Sequence, residues 1–455
     1  MTEPPRRTSS PADLRARLES AGLGAALAVE SWVAIQFFEI NLLQVGSFTL
    51  SLQKLLSLAV FPVALILMRR WRIPGVLLAL ALVMVAANSA WYLARGAWYD
   101  SRMVTANVSS LLVAFGATVL YTGFAALPDG LARLGRAWVR WALVTAPVCV
   151  AQSLGVLPLF NVPPDQLLNR ATTIGLERAV GFKADPNFQA LMLVVAALSL
   201  VIFAPKGGKR SLQLAIIAVG ILATLSRMGM LLFVGALCVG PLVRAARTGR
   251  LVPTVLRLTG GGLVAVTALV WAAAKGLLPG SLQGFLVERF VDAWRVFVSL
   301  SSGQGGALGI GGQVTSGVAR AVLALASFRI FLGNPVVGIG AGRSKDLLSA
   351  VSGQFNVAHN TYLEMAMMGG AIGVAFMVIY FVPLAGLWRR RRTSFHSEQA
   401  WDRTWGYAMA LYLVFAFVFL FLSLNTNSIL YVPIAVALAT RGRRSVANEP
   451  VSARA

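Results

Sequence analysis

A chain of 455 residues that breaks again and again into apolar runs long enough to cross a bilayer has few folds open to it. Water is absent from the hydrocarbon interior, so each spanning backbone must satisfy its own polar groups, and helices do that segment by segment. Such runs lie at about 21–38, 53–68, 74–94, 104–126, 138–158, 187–204, 211–226, 228–243, 254–278, 362–386, 405–422 and 428–440. The count predicts an all-α polytopic membrane protein of about 12 transmembrane helices. Composition agrees: 57% of residues are hydrophobic and 13% are charged, half the roughly 25% charge of a soluble globule.

The charge pattern orients the chain. Its net charge of +23 invites a nucleic-acid partner. In a membrane protein the same charge reads more simply as cytoplasmic loop anchors. With the N-terminus inside, the loops on that side read "RRWR", "ARLGRAWVR", "PKGGKR", "RAARTGRLVPTVLR" and "RRRRTSFHSEQAWDR", and the tail holds "RGRR". Both termini are therefore expected in the cytoplasm. The divisions follow: a cytoplasmic tail over 1–20, helices 1–9 over 21–278, an outward segment over 279–361, helices 10–12 over 362–440, and a second cytoplasmic tail over 441–455.

Two outward segments are long, about 159–186 and 279–361. The second includes the amphipathic stretches "LVERFVDAWRVFVSL" and "VARAVLALASFRIFL", expected as short helices on the outer leaflet, joined by the Gly/Ser-rich "SSGQGGALGIGGQVTSG". A loop of that length usually carries function. Cys149 and Cys238 fall inside predicted helices and imply neither a disulfide framework nor a metal site. No Walker loop, HExxH or CxxC is present, and "GIGGQ" and "GIGAG" lack the Lys-Ser/Thr that a P-loop needs.

The polar residues at outward helix ends need a reason. Arg227, in "LATLSRMGMLLF", sits between two apolar runs, against the usual charge bias; it either snorkels or functions. Arg178 and Lys183 lie in "ERAVGFKADPNFQALM", where "DPN" opens the next helix and Asn187 is placed to cap it. The long segment adds Arg289, Arg295, Arg320, Arg329, Arg343 and Lys345 against Glu288, Asp292 and Asp346. Guanidinium forks match phosphate oxygens, so these arginines suit an anionic ligand with its tail in lipid, or else attract anionic headgroups without special geometry. One of the two histidines, His359, precedes the run "TYLEMAMMGGAIGVAFMV", with Asn360 or Thr361 as the helix cap. A neutral imidazole there serves equally as a general base near pH 7 or as a loop hydrogen-bonding group.

Four stretches in order, "RAVGFKADPNFQAL", "TLSRMGMLL", "SGVARAVLALASFRIFLGNPVVGIGAGR" and "HNTYLEMAMMGGAIG", resemble the O-antigen ligase / O-antigen polymerase superfamily of bacterial membrane glycosyltransferases. The last matches the pattern His-Asn, nine residues, Gly, two residues, Gly at His359-Asn360, Gly370 and Gly373. Val374 and Ala375 stand where ligases of the family often carry two threonines. The resemblance implies a GT-C-like architecture in the bacterial inner membrane, with a periplasmic active site and no cofactor or metal. It implies inverting transfer of a glycan from undecaprenyl diphosphate to lipid A–core oligosaccharide. His359 would act as base. Arg227, Arg320, Arg178 and Arg289 would hold the diphosphate. Asn360, Asn187 and Tyr362 would support them, and Gly370 and Gly373 would be close-packing positions. An O-antigen or exopolysaccharide polymerase, whose acceptor is a lipid-linked repeat, fits the same residues. Twelve helices also suit a transporter of polyprenyl-linked solutes, although the two halves show no evident internal similarity.

Overall fold

Helix α4, Pro186–Phe203, is apolar on every side, and this dictates its place. A helix with no polar face has to be surrounded. Ala190 through Leu200 are all nearly inaccessible, and α4 is the hub of the bundle. The computed structural model describes residues 27–38, 41–45, 48–59, 72–94, 116–118, 120–124, 129–160, 177–183, 185–247, 250–277, 316–340, 343–352, 358–390, 399–420, 422, 432–434 and 436–437.

Around α4 stand α3 (Gly130–Ser153), α5 (Gly208–Ala223), α6 (Arg227–Arg247) and α11 (Gln399–Val418). Helix α7 (Leu251–Ala274) follows against α6. A second group packs α2 (Arg72–Ala94) on α10 (Thr361–Arg390), with α8 (Ser316–Gly333) and the short α9 (Ser344–Ser352) beside them. Helix α1, Leu27–Phe37, contributes Trp32, Val33 and Phe37 to the main core. A polar contact crosses that core: the Ser199 and Tyr407 hydroxyls share a hydrogen bond of 2.9 Å.

Each of the twelve apolar runs contains helix among the described residues. Two helices, Pro186–Phe203 and Thr361–Leu387, are long and apolar enough there to cross a membrane. The expected helix at "VARAVLALASFRIFL" is α8, whereas "LVERFVDAWRVFVSL" lies outside the described residues. The fold also adds a small antiparallel ribbon between the first two runs, β1 (Asn41–Val45) and β2 (Phe48–Ser51), pairing Val45 with Phe48.

Sequence patterning gave no sign of the break in α10. At Gly370 the backbone leaves helical geometry, with φ 57° and ψ −138°, a region open to glycine. A broken helix leaves carbonyls without partners, and burial makes that costly. The turn after α8 supplies what is missing. Ile339 N–H donates to Met367 O at 3.0 Å, Gly340 N–H to Met368 O at 2.9 Å, and Ala371 N–H to Pro335 O at 2.7 Å. From the other side the Asn88 amide of α2 donates to Met368 O at 3.1 Å. The stretch "NPVVGIG" therefore lies along the broken helix by backbone pairing. Glycines are required where the chains touch: a Cβ on Gly338 would overlap the Met368 carbonyl, and one on Gly370 would come within 2.6 Å of Val336. Gly370 is thus the site of the break, and not merely the small packing residue that the motif suggested.

Replacing Gly370 with alanine therefore costs both a forbidden φ and a backbone overlap, at least about 2 kcal/mol. Gly235 in α6 has open space around its Cα, so Gly235→Ala there is neutral or stabilising by up to about 1 kcal/mol. Thermal unfolding of the two purified variants in detergent checks the contrast; equal melting temperatures would contradict the docked break.

Candidate functional site

Three helices, α4, α6 and α10, begin at one end of the bundle with an explicit cap, and α8 presents its second turn beside them. At α4 the cap is Asp185, whose Oδ1 accepts from Asn187 N–H at 2.7 Å and Phe188 N–H at 3.3 Å, with Pro186 in the first turn. This corrects the assignment of the cap to Asn187. The Asn187 side chain instead accepts the Ser226 hydroxyl at 2.9 Å. Ser226 in turn caps α6, accepting from Gly229 N–H at 3.1 Å. The chain reaches that cap through Leu225 in a left-handed conformation, φ 49°. Arg227 is then the first residue of α6, and Gly229 meets Ala190 so closely that the two helix starts are held side by side.

Helix α10 opens the same way. Of the two expected caps, the side chain of Asn360 serves: its Oδ1 accepts from Leu363 N–H at 3.0 Å. Thr361 N–H donates to Phe419 O at 2.7 Å and its hydroxyl to Leu422 O, fixing this end against the chain leaving α11. Tyr362 is a strut. Its hydroxyl donates to Ala416 O at 3.0 Å, and its ring lies against Phe381 and Phe419. His359 precedes the cap at φ 51°, again left-handed, so the backbone itself sets the direction of the imidazole.

Asp185, Arg320 and His359 feel one another's charge. Burial lowers the His359 pKa from its usual 6.5, the Arg320 cation lowers it further, and Asp185 opposes both. Burial likewise lowers the Arg320 pKa, and Asp185 again opposes. A guanidinium stays protonated in spite of this. The cluster joins an imidazole held toward its neutral form, a half-buried cation and an Asp185 side chain already accepting two backbone N–H groups. Helix N-termini carry partial positive charge, so the convergence favours an anion. A base beside fixed positive charge can take a proton from an incoming hydroxyl while the cations stabilise a departing anion.

Arg178 comes to the same end of the bundle by a different route. It lies half-buried in the segment 177–183, which is latched by the buried amide of Gln152 at the end of α3. Gln152 Oε1 accepts from Val180 N–H at 3.2 Å and Gly181 N–H at 2.8 Å, while its Nε2 donates to Gly181 O at 2.9 Å and Pro158 O at 3.0 Å. Ala179 N–H also donates to Ala223 O at the end of α5. Arg289 lies outside the described residues. Sequence reading missed Gln152 and Ser226 altogether and met Asp185 only as part of the "DPN" that opens the helix. Ser226 was legible as Ser immediately before an apolar run, but Gln152 had no local signal.

Residues 212–378 match the model of a family described as O-Antigen ligase. No curated protein and no solved structure matches the chain. The matched span runs from α5 to the middle of α10 and holds Ser226, Arg227, Arg320, His359 and the docked break, whereas Asp185 and Asn187 precede it.

Gln152→Leu leaves two N–H groups and two carbonyls without this partner, at roughly 1–3 kcal/mol for a buried group so orphaned. The expected outcome is faster amide exchange at Val180 and Gly181 with α4 still protected. Unchanged exchange at those two amides would mean that Gln152 is not the latch.

Proposed function

We propose, from the match of residues 212–378 to the family described as O-Antigen ligase, that this chain transfers a glycan from undecaprenyl diphosphate to a hydroxyl of lipid A–core oligosaccharide at the periplasmic face of the inner membrane. The observation that carries this reading is the meeting of His359, Arg320 and Asp185 at an end where helix starts converge. Both termini then lie in the cytoplasm, and the segment leading into α8 is periplasmic.

In this mechanism an imidazole nitrogen of His359 takes the acceptor hydroxyl proton as that oxygen bonds to the anomeric carbon. The bond from that carbon to the diphosphate oxygen breaks, and its electron pair leaves on the diphosphate. Attack from the opposite face inverts the centre. Arg320 and Arg227, together with Arg178 and Arg289 as the family resemblance implies, hold the donor and stabilise the leaving charge. Such preorganised cations act where charge develops, in a site screened from water. Asn360 and Asn187 fix the helix starts that aim these groups, and Tyr362 holds the start of α10 in place. A polymerase would use the same base and cations on a lipid-linked repeat.

A membrane assay with lipid-linked glycan and a lipid A–core acceptor tests the proposal. His359→Ala is expected to reduce transfer by about 10²–10⁴-fold, the usual contribution of a positioned base. Transfer at the native rate would exclude the base. Acceptor choice is read by replacing the core acceptor with a second lipid-linked repeat; product in that arm alone marks a polymerase.

The pH profile is a separate check. His359 is the base when neutral, so transfer falls as pH drops through its lowered pKa, and the acid limb lies below 6.5. Arg320→Gln removes a positive neighbour and moves that limb upward, whereas Arg320→Lys keeps the charge and leaves it in place. A limb unmoved in Arg320→Gln would separate the two residues.

A further inference from the structure

A cavity of about 580 Å³ opens at the end of the bundle opposite the helix starts just described. Its walls are the first turns of α3 and α5, the last turn of α4, and Thr404 of α11. Four cations line it: Arg136 and Arg140, one turn apart on α3, and Lys209 and Arg210 on α5. Asp129 is the lining acid, and Glu30 of α1 pairs with Arg140. Arg210 donates to Ala204 O at 3.4 Å, which turns it toward the end of α4. The deeper wall is apolar, with Leu200, Phe203 and Val139. From Asp129 to Arg140 the lined face of α3 extends roughly 15 Å along the axis.

Loop anchors explain basic residues on this face, but they require no cavity. They also do not explain why cations from two helices ring one opening whose interior is apolar. The combination suits a ligand with a phosphate at the mouth and a hydrocarbon portion inside. We propose that this cavity binds the phosphate headgroup of an anionic membrane lipid, with Arg136, Lys209 and Arg210 at the phosphate and the first part of an acyl chain along Val139 and Leu200. The site is separate from the His359 cluster, and its occupancy does not depend on the reaction assigned there.

The test uses the full-length protein in uncharged detergent. Dioctanoyl phosphatidylglycerol, dioctanoyl phosphatidylcholine and inorganic phosphate are titrated and the dissociation constant of each is measured. Saturable binding of the glycerol lipid, with the choline lipid at least tenfold weaker, is expected. Arg136→Gln/Lys209→Gln weakens binding about fivefold for each cation removed. Ala132→Trp fills the cavity while leaving all four cations in place, and is expected to weaken binding by a similar factor. Inorganic phosphate that binds while the glycerol lipid does not overturns the lipid and leaves a free anion as the occupant. Equal binding of the choline lipid overturns the proposal. So does full affinity in Ala132→Trp, which would mean adsorption to a basic face, and so does the absence of saturable binding by both phosphate probes. The glutamine variant alters only surface cations, and full affinity in it is decisive against the proposal even if the tryptophan variant does not fold.

Discussion

Backbone hydrogen bonding across the interruption in α10 is the constraint on which the histidine end of the molecule depends. An unbroken α10 would keep its carbonyls to itself and would leave the turn at 334–340 with nothing to pair against. Because the helix opens at Gly370, the carbonyls of Met367 and Met368 become acceptors, and Ile339 and Gly340 use them. The connection out of α8, which carries Arg320, is thereby fixed to the helix that carries His359 at its start. Asn88 adds a third element to the same carbonyl. In apolar surroundings such pairing has no competitor from water, so a few bonds define the geometry.

At the start of each site helix the solution is a short polar side chain used as a cap: Asp185, Ser226 and Asn360. The caps leave the helix dipoles pointing to a common region, and Arg320 adds a full charge there. The histidine stays neutral because it is buried beside a cation. The same arrangement that favours a bound anion therefore favours the neutral imidazole, the form that the proposed base requires.

Much of this could be read in the chain before any coordinates. The apolar runs marked the helices because a spanning segment must be apolar along its length. Pro186 after Asp185 marked the start of α4, and Asn360-Thr361 marked that of α10. The glycines of "GNPVVGIGAG" and "MMGGAIG" were visible as two motifs, but their meeting was not, since a pairing between residues 339 and 367 has no local periodicity. The role of Gln152 was equally hidden: it folds back on a segment 28 and 29 residues later, and nothing near it in sequence reports that contact. The cap at α4 was misassigned by two positions because Asp185 and Asn187 are both good cap residues, and only the path of the backbone decides between them.

The bend at Gly370 also bears on how the protein fits its bilayer. The apolar part of α10, Thr361–Leu387, has 27 residues, about 40 Å if straight, against a hydrocarbon core of about 30 Å. A straight helix of that length would have to tilt or stretch the surrounding lipid. With the break, the portion from Gly370 to Leu387 is about 26 Å long and fits within the core, and the first turns, held by Thr361 and Tyr362, need not share its inclination. Hydrophobic mismatch, usually absorbed by the tilt of a whole helix, is here confined to one glycine, and the depth of His359 becomes a property of the protein more than of the lipid around it.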